Sequence, residues 1–375
     1  MISVGKQVIF MRAICAFSGT ILSLGMKRKT ICTIPSLYLL ACVVWLHAPS
    51  YVVASKSDEK TTIGSIDFFG YGQLDVVKLR SGLPIKSGDS VTQSEWSAHR
   101  SRIQQAIRSE TGKPPTDVVL ICCDDRGNSM LYIGVAGSSS VAVHHKPAPK
   151  GDGRLPEAAL KLSRETDDAL RKGVLVGRTQ QDDSNSYALS VDPEARAKEL
   201  QIREFALANE DLLRTVLSSS SDAEHRAIAA QFLGYVNVSA RQIGDLTEAA
   251  SDPDEGVRNN AVRALGVIAS SSQQRASMMS PKPFIALLKS DKWVDRNKGG
   301  WLLVNLTASR DPKLLEQLRK EAMDALVEMA RWHFTGHASF ARRLLGRIGG
   351  IEEAKLDPMI DNQAEAIIAA ARKSH

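Results

Sequence analysis

Apolar positions recur at helical spacing through most of the C-terminal half of the chain. From residue 193 onward, helical stretches alternate with short turns rich in Asp, Pro and Ser. One pattern returns: an Asp in the turn, an Arg four residues later, small residues, and then Leu-Gly, over 222–234 and 254–266. Weaker copies cover 295–303 and 341–346. Self-similarity of this kind predicts a solenoid, in which each unit buries its apolar face against its neighbour.

The N-terminal part carries a different pattern, in which short alternating or apolar runs are separated by Gly- and Asp-containing turns. The predicted elements are a strand at 63–69, a short helix at 74–79, a helix from the N-cap Ser94 to Glu110, and strands at 118–122 and 130–135. The order strand, helix, helix, strand, strand predicts a small α/β domain over 62–136. Residues 137–196 read as a linker that contains one amphipathic helix, at 155–172.

Residues 66–89, with the sequence IDFFGYGQLDVVKLRSGLPIKSGD, resemble the start of a POTRA domain. The shared features are an opening strand that ends in Gly70, a Leu-Arg pair in the first helix, and a Lys-x-Gly-Asp turn. This resemblance implies protein–protein contact in the cell envelope through strand addition to an exposed sheet edge. POTRA units usually stand in tandem before a barrel, and no barrel follows here, so a transport role is not implied.

Residues 252–269, with the sequence DPDEGVRNNAVRALGVIA, closely resemble a HEAT repeat, and residues 222–234 support the resemblance. It implies a helical repeat domain over 197–372 and an inter-repeat hydrogen-bond ladder that includes Asp254 and Arg258. The spacing between copies is irregular. The predicted fold is therefore a βααββ, POTRA-like domain followed by an α-solenoid of HEAT-like repeats.

Charge is concentrated at the N-terminus. The formal net charge is +6, but residues 1–54 hold five basic residues and no acidic ones. The remaining chain has 43 basic and 42 acidic residues, a balance of +1. Because nucleic-acid binding needs clustered basic charge, this balance argues against a nucleic-acid partner.

Residues 1–54 predict a presequence. Met26 precedes Lys27-Arg28-Lys29 and an apolar stretch at 31–46, which predicts a signal peptide over 26–54, a true start at Met26, and cleavage between Ala54 and Ser55. Two alternatives are a membrane anchor that includes 7–25 and a lipoprotein with Cys42 as the lipidated residue. We therefore expect an exported protein that is periplasmic or membrane-associated.

Candidate chemistry is sparse. His333 and His337 have the four-residue spacing of zinc-protease ligands, but the intervening Glu is missing, and turn or capping roles are expected. No His-Glu dyad of the HEAT-fold hydroxylase type occurs. The neighbours Cys122 and Cys123 are expected on opposite faces of a strand, unbonded. Asp124 and Asp125 are expected to be hairpin residues, and His144 and His145 linker residues. Arg331, Arg342, Arg343 and Arg347 are expected on a solvated helix face. Trp332, like Trp293, is a candidate to anchor a binding interface, whereas core packing is expected for Trp301.

These observations predict a non-enzymatic scaffold that binds protein partners in the bacterial cell envelope, with no cofactor and no metal. The residues expected in the solenoid interface or the ladder are Asp254, Arg258, Asn259, Trp293 and Arg296. The alternatives are a lyase-like enzyme on a HEAT scaffold and a lipid-anchored envelope regulator. A polar pocket that collects His333, His337, Glu321 and Glu328 would favour the enzyme.

Overall fold

The structure is a computed structural model that describes residues 60–143 and 145–373. The presequence predictions, namely the start at Met26, lipidation of Cys42 and cleavage between Ala54 and Ser55, lie outside the described residues, as does His144. Within the described ranges, every helix is too short or too polar to cross a bilayer.

The N-terminal unit is a mixed four-stranded sheet with two helices. Its elements are β1 (Lys60–Phe69), α1 (Val76–Ser81), β2 (Ser90–Thr92), α2 (Trp96–Thr111), β3 (Asp117–Ile121) and β4 (Ser129–Gly134). The strand order is β2-β1-β4-β3, with β1 and β4 parallel and the other pairs antiparallel. The predicted strands and helices occur in the predicted order, with one further strand, β2, between the two helices. The short β2 was missed, because three residues carry too little periodicity to predict a strand.

Two local predictions in this unit were wrong. The N-cap of α2 is Glu95 rather than Ser94. Cys122 and Cys123 do not alternate across a strand, because β3 already ends at Ile121; both are half-buried and are joined by a disulfide.

The sheet is buried on both faces, which explains why all six residues of β4 are inaccessible. Leu131 and Ile133 point towards α1 and α2, with Ile103 and Ile107 in the same core cluster. Tyr132 and its neighbour Met130 point to the other face, where they join the core of the helical region. Alternation along one strand thus attaches the α/β unit to the rest of the protein.

The segment between the unit and the repeats wraps over the solenoid. After an extended stretch it forms α3 (Glu157–Leu175) and a hairpin of β5 (Gln181–Asp182) and β6 (Leu189–Ser190). The Ser163 hydroxyl donates to the Gln231 side chain (3.1 Å), and Gln181 in the hairpin accepts from Arg263. The segment that the sequence predicted to be a linker therefore forms an integral layer of the fold.

The remaining helices stack in pairs. They are α4 (Pro193–Ala208), α5 (Glu210–Ser219), α6 (Ala223–Leu233), α7 (Ala240–Ala249), α8 (Glu255–Ser271), α9 (Gln273–Ala276), α10 (Lys282–Leu287), α11 (Trp293–Leu306), α12 (Pro312–Ala330), α13 (Thr335–Ile348), α14 (Glu353–Leu356) and α15 (Ala364–Lys373). Four pairs follow one another: α5 with α6, α7 with α8, α10 with α11, and α12 with α13. The second helices, α6, α8, α11 and α13, pack in sequence and form one continuous layer.

The repeated Leu-Gly has a packing role. A Cβ on Gly234 would lie 2.9 Å from Cβ of Ala264 in the next second helix. A Cβ on Gly266 would lie 2.6 Å from the indole Cε3 of Trp301 in the helix after that. The glycines thus let successive second helices approach closely, and Trp301 is half-buried on the backbone of α8 rather than fully inside the core.

Candidate functional site

Three buried arginines join successive repeats. Arg226 donates to both carboxylate oxygens of Asp252 (2.9 and 2.8 Å), and Arg258 does the same with Asp295 (2.9 and 3.0 Å). Each guanidinium also donates to a carbonyl of its own preceding turn, Ser220 for Arg226 and Asp252 for Arg258, both at 2.9 Å. This planar, two-sided donation fits Arg and not Lys, and it fixes the angle between repeats.

Asp254 is not part of this ladder. Its carboxylate caps α8 by accepting from the Val257 amide (3.0 Å), while the rung is made by Asp252, two residues earlier. Asn259 lies half-buried on α8 and donates to Asn260 (2.9 Å), which in turn donates to the carbonyl of Ala227 on α6 (2.8 Å). The prediction of Asp254 as a ladder residue was therefore wrong. The turn holds two carboxylates, of which Asp252 makes the rung and Asp254 caps α8.

The third rung extends into the α/β unit. Arg296 donates to its own turn at the Ser290 carbonyl (2.7 Å) and to Glu328 of α12 (3.2 Å). Glu328 also accepts from the amides of Gly70 (2.7 Å) and Gly72 (2.8 Å) and from the Ser139 hydroxyl. Four donors thus converge on one buried carboxylate, which we call the Glu328 latch.

The Gly70-Tyr71-Gly72 turn is shaped for this latch. Both glycines have positive φ, +75° and +56°, a backbone region that Gly enters at low cost. A Cβ on Gly70 would also lie 2.6 Å from the carbonyl of Val135. Burial, and then the nearby Glu328 carboxylate, raise the pKa of Tyr71.

An aromatic cluster seals the same junction. Tyr132 packs against Trp293 and Trp332 with ring centroids 5.1 and 5.0 Å apart. The indole of Trp332 donates to the carbonyl of Phe68 (3.2 Å), and the Tyr132 hydroxyl lies 2.7 Å from Nδ1 of His337. Trp293, predicted as an interface residue, is 1% exposed and serves this internal interface instead of an external partner.

Burial shifts the ionisation of two groups at this junction. The pKa of His337 falls to about 3, first through burial and then through the positive charge of Lys298, so the imidazole is neutral at physiological pH. The pKa of Arg296 falls to about 10 through burial, against the opposing effect of Glu328. The latch therefore keeps its charge at neutral pH, and His337 acts as a packing and hydrogen-bonding residue.

The exposed His333 pairs with the buried Asp67 beside the cluster. The Asp67 carboxylate accepts from the backbone amide of His333 (3.1 Å), and its other oxygen lies 2.6 Å from Nδ1 of the same residue. The hydrogen bond to Asp67 raises the pKa of His333. His333 lies in the turn before α13, as expected, whereas His337 is a buried helix residue and not the turn or capping residue that the sequence predicted.

The residues named for the enzyme alternative do not line one polar pocket. Glu328 and His337 are buried with separate partners, and His333 is mostly exposed. Glu321 is exposed and accepts from Gln317 (3.0 Å) on its own helix. The arrangement therefore offers no shared space in which an acid and a base could act on one substrate.

Two of the four arginines expected on a solvated face, Arg342 and Arg347, are buried, which corrects the sequence interpretation for them, whereas Arg331 is exposed. Arg342 is 6% exposed and donates to the carbonyls of Ala330 (2.8 Å) and Ile360 (2.6 Å). Arg347 is equally buried and donates to Glu353 (2.7 Å). The outer members pair with acids, Arg343 with Glu353 and Asp357 and Arg331 with Glu365. These side chains connect α12 and α13 to the residues that follow α13.

The remaining candidates hold no cluster of metal ligands among the described residues. Asp124 accepts from the amides of Arg126 (2.9 Å) and Asn128 (2.8 Å), which is a hairpin role. His145 is half-buried against the solenoid, so this part of the chain is not the solvated linker that was expected; burial lowers its pKa.

Two surfaces of the described residues are candidates for contact with partners. The first is β3, the outer strand of the sheet, which pairs only with β4. The second is the α11–α13 surface, where the half-exposed Trp301, Val304 and Phe340 lie on adjacent second helices. The corresponding face of α6 and α8 contacts α3 and the β5–β6 hairpin. The two candidates are thus an outer strand whose residues are buried or half-buried and the half-buried α11–α13 part of the helical layer.

Residues 210–298, from α5 to the beginning of α11, match the family of HEAT repeats. Two solved structures are similar over 48% of this chain. One is an engineered protein of the Northeast Structural Genomics Consortium, with 16% identity, a TM-score of 0.34 and 90% of its own chain covered. The other is a designed armadillo repeat protein in complex with the peptide (KR)4, with 15% identity, a TM-score of 0.33 and 92% covered. No curated protein matches the chain.

Proposed function

We propose that this protein is a non-enzymatic scaffold that binds protein partners in the cell envelope. The observation that carries the proposal is the HEAT repeat layer, matched over 210–298, because stacked repeats of this kind present extended surfaces for binding. The buried arginines and histidines of the repeats make contacts that hold the fold together. What remains accessible to other molecules is the outer surface of the protein. This distribution supports a binding role over the enzyme alternative.

The binding surfaces proposed are the β3 edge and the α11–α13 surface. An outer strand has unpaired backbone groups that can accept a further strand, as the POTRA-like character of the unit implies. Trp301 and Phe340 offer half-exposed aromatic area, which is the usual anchor of a protein interface. Export remains part of the proposal and rests on the signal-like sequence over 26–54.

The test is site-specific photo-crosslinking in intact cells with the full-length tagged chain. The photoreactive amino acid replaces Lys113, which is exposed just before β3, or Trp301 on the α11–α13 surface. The matched control is Lys313, exposed at the start of α12. A scaffold predicts that one identified envelope protein cross-links from Lys113 or Trp301 and not from Lys313.

The same sample also tests export. Mass spectrometry of its N-terminus should find a mature start at Ser55. Equal cross-linking from all three positions, or none from any, would contradict the binding proposal. An uncleaved chain in the cytoplasm would contradict export and leave the binding surfaces to be judged separately.

A further inference from the structure

Residues 139–155, which we call the strap, cross three consecutive repeats in reverse order. The amides of Val141, Lys146 and Gly151 donate to the carbonyls of Lys289 (2.8 Å), Ser251 (2.9 Å) and Ser219 (2.7 Å). The donors are spaced five residues apart, and the acceptors are the same position in three successive turns. Each acceptor directly precedes a residue whose carbonyl receives a ladder arginine, namely Ser290, Asp252 or Ser220.

The regular spacing is a property of the turns. Because the ladder holds the three turns in equivalent orientations, each presents one carbonyl outward for a passing chain. We call these three positions the turn row. A backbone acceptor reads no side chain, so the turn row can accept any segment that is extended and reaches all three positions.

In the middle of the strap, Val143 packs against the core of the helical region and His145 is half-buried, whereas several neighbouring side chains are exposed. Val141 is 51% exposed, and Pro147, Ala148 and Lys150 are exposed as well. The side chain that forms an ion pair here is Lys146, with Glu248 at 3.0 Å, and Glu248 is itself 71% exposed. A surface ion pair of this kind contributes little, so this stretch is held by its backbone hydrogen bonds and by the partial burial of Val143 and His145.

The two ends of the strap are anchored far more firmly. At one end Ser139 is buried, donates to Glu328, and accepts from Arg296 at its carbonyl (2.8 Å). At the other end the Leu155 amide donates to Nδ1 of the buried His225 (2.8 Å), and Leu155 is 4% exposed. The middle can therefore leave the turn row while both ends stay in place.

We infer that the turn row is a binding surface for an extended, basic segment of a partner protein, and that the strap is its intramolecular occupant. The basic character follows from the strap itself, in which Lys146 and Arg154 pair with Glu248 and Asp222 of the solenoid. This inference rests on the binding function proposed above and adds the kind of partner and its competitor. A tethered occupant lowers the apparent affinity of a partner by the fraction of time that the row is open.

The test uses a fluorescein-labelled synthetic peptide with the sequence of residues 139–155, added to the full-length protein. In the main variant, residues 142–149 are replaced by a Gly/Ser segment of the same length with proline at position 146, which removes the Lys146 side chain and the amide that donates to Ser251 and keeps both anchors and the tether. Fluorescence anisotropy should show that this variant binds the peptide at least tenfold more tightly than wild type does. The same peptide with Lys146 and Arg154 replaced by glutamate should not show this difference, because it loses the basic side chains that pair with Glu248 and Asp222. A folded variant that binds the peptide no better than wild type would overturn the inference.

A second measurement covers the case in which the replaced variant does not fold. Lys146→Glu places a negative charge against Glu248, whereas the control Lys150→Glu makes the same change at an exposed neighbour. Hydrogen exchange at Val141 and Lys146 should be at least threefold faster in Lys146→Glu than in Lys150→Glu. If these amides exchange only together with α8 in both variants, the strap does not open and the inference falls. Cross-linking from Lys113 or Trp301 would persist in that case, so the proposed function is judged separately.

Discussion

Arg258 shows what one residue does in the ladder. Its side chain is 2% exposed, and its planar guanidinium is held between the Asp295 carboxylate and the carbonyls of Asp252 and Pro253. All three guanidinium nitrogens therefore donate to a partner, which a charge in this position requires. The same arrangement recurs at Arg226, so the repeated Arg of the sequence pattern is explained by the contact between repeats.

Arg258→Gln should strongly destabilise the protein. The substitution leaves the buried Asp295 carboxylate without its charged partner, and breaking such a pair typically costs about 3–5 kcal/mol. The control is Arg241→Gln, because Arg241 is 69% exposed and only loosely paired with Asp211 (3.7 Å). Urea denaturation followed by circular dichroism should show a much lower midpoint for Arg258→Gln and almost no change for Arg241→Gln. Equal midpoints would contradict the structural importance of the ladder.

The buried His337 should make the protein less stable in acid. Its pKa is about 3 in the folded protein and 6.5 in the reference state, so the unfolded chain binds the proton first as the pH falls. The stabilising contribution of the neutral imidazole is complete above pH 6.5 and is lost progressively from 6.5 down towards 3. The slope approaches about 1.4 kcal/mol per pH unit well below 6.5.

Unfolding midpoints measured from pH 7 to pH 4.5 test this expectation. His337→Gln cannot take up the proton, so its stability should fall less over this range than that of wild type. The control is His99→Gln, because His99 is only partly buried and lies on the outer helix α2. The same acid slope in wild type and in His337→Gln would show that other groups govern the loss.

At the scale of elements, α12 illustrates how much the sequence could predict. Helical stretches were expected throughout this part of the chain, and α12 is one of them. Glu328, however, has no sequence feature that distinguishes it from the exposed Glu316 on the same helix. Its role arises because Gly70, Gly72 and Ser139, far away in sequence, present their donors at this one position. Such long-range contacts cannot be read from local periodicity.

The same reason explains the other differences between the predicted and the observed structure. The repeats, their helices and the ladder arginines have local patterns, and these were predicted from sequence. Asp252 and Asp254 lie two residues apart in one turn, and only the geometry of the turn decides that the first makes the rung and the second caps the helix. Residues 139–155 have no periodicity at all, because the strap is held by its backbone.

Glu328→Gln should loosen the attachment of the α/β unit. The amide keeps the shape but removes the charge opposite Arg296 and turns one acceptor into a donor that faces backbone amides. A loss of about 3–5 kcal/mol is expected from the unpaired buried guanidinium. The control is Glu316→Gln, since Glu316 is 44% exposed and pairs with surface cations. Calorimetry should show a large drop in melting temperature for Glu328→Gln alone.

At the scale of the whole molecule, the α/β unit and the solenoid share one core. Tyr132 and Phe69 belong to the same buried cluster as the helices of the repeats, whereas the other face of the sheet has its own cluster with α1 and α2. The latch, the aromatic contacts and the strap all cross the boundary between the two parts. We therefore expect both parts to unfold together, although the sequence suggested two modules joined by a linker.

Trp332→Ala tests this cooperativity. Trp332 is 1% exposed, donates to the Phe68 carbonyl, and packs edge-on against Tyr132, so its loss empties the centre of the junction. Removing a buried aromatic side chain typically costs about 3–5 kcal/mol, and here the cost falls on the contact between the two parts. The control, Trp301→Ala, removes an indole of the same size that packs on Gly266 within the solenoid. Calorimetry should show one transition for wild type and Trp301→Ala, and two for Trp332→Ala.

A single transition in Trp332→Ala would mean that the Glu328 latch and the strap suffice to couple the parts. The β3 edge and the α11–α13 surface would then stay in a fixed relation even when the aromatic junction is broken.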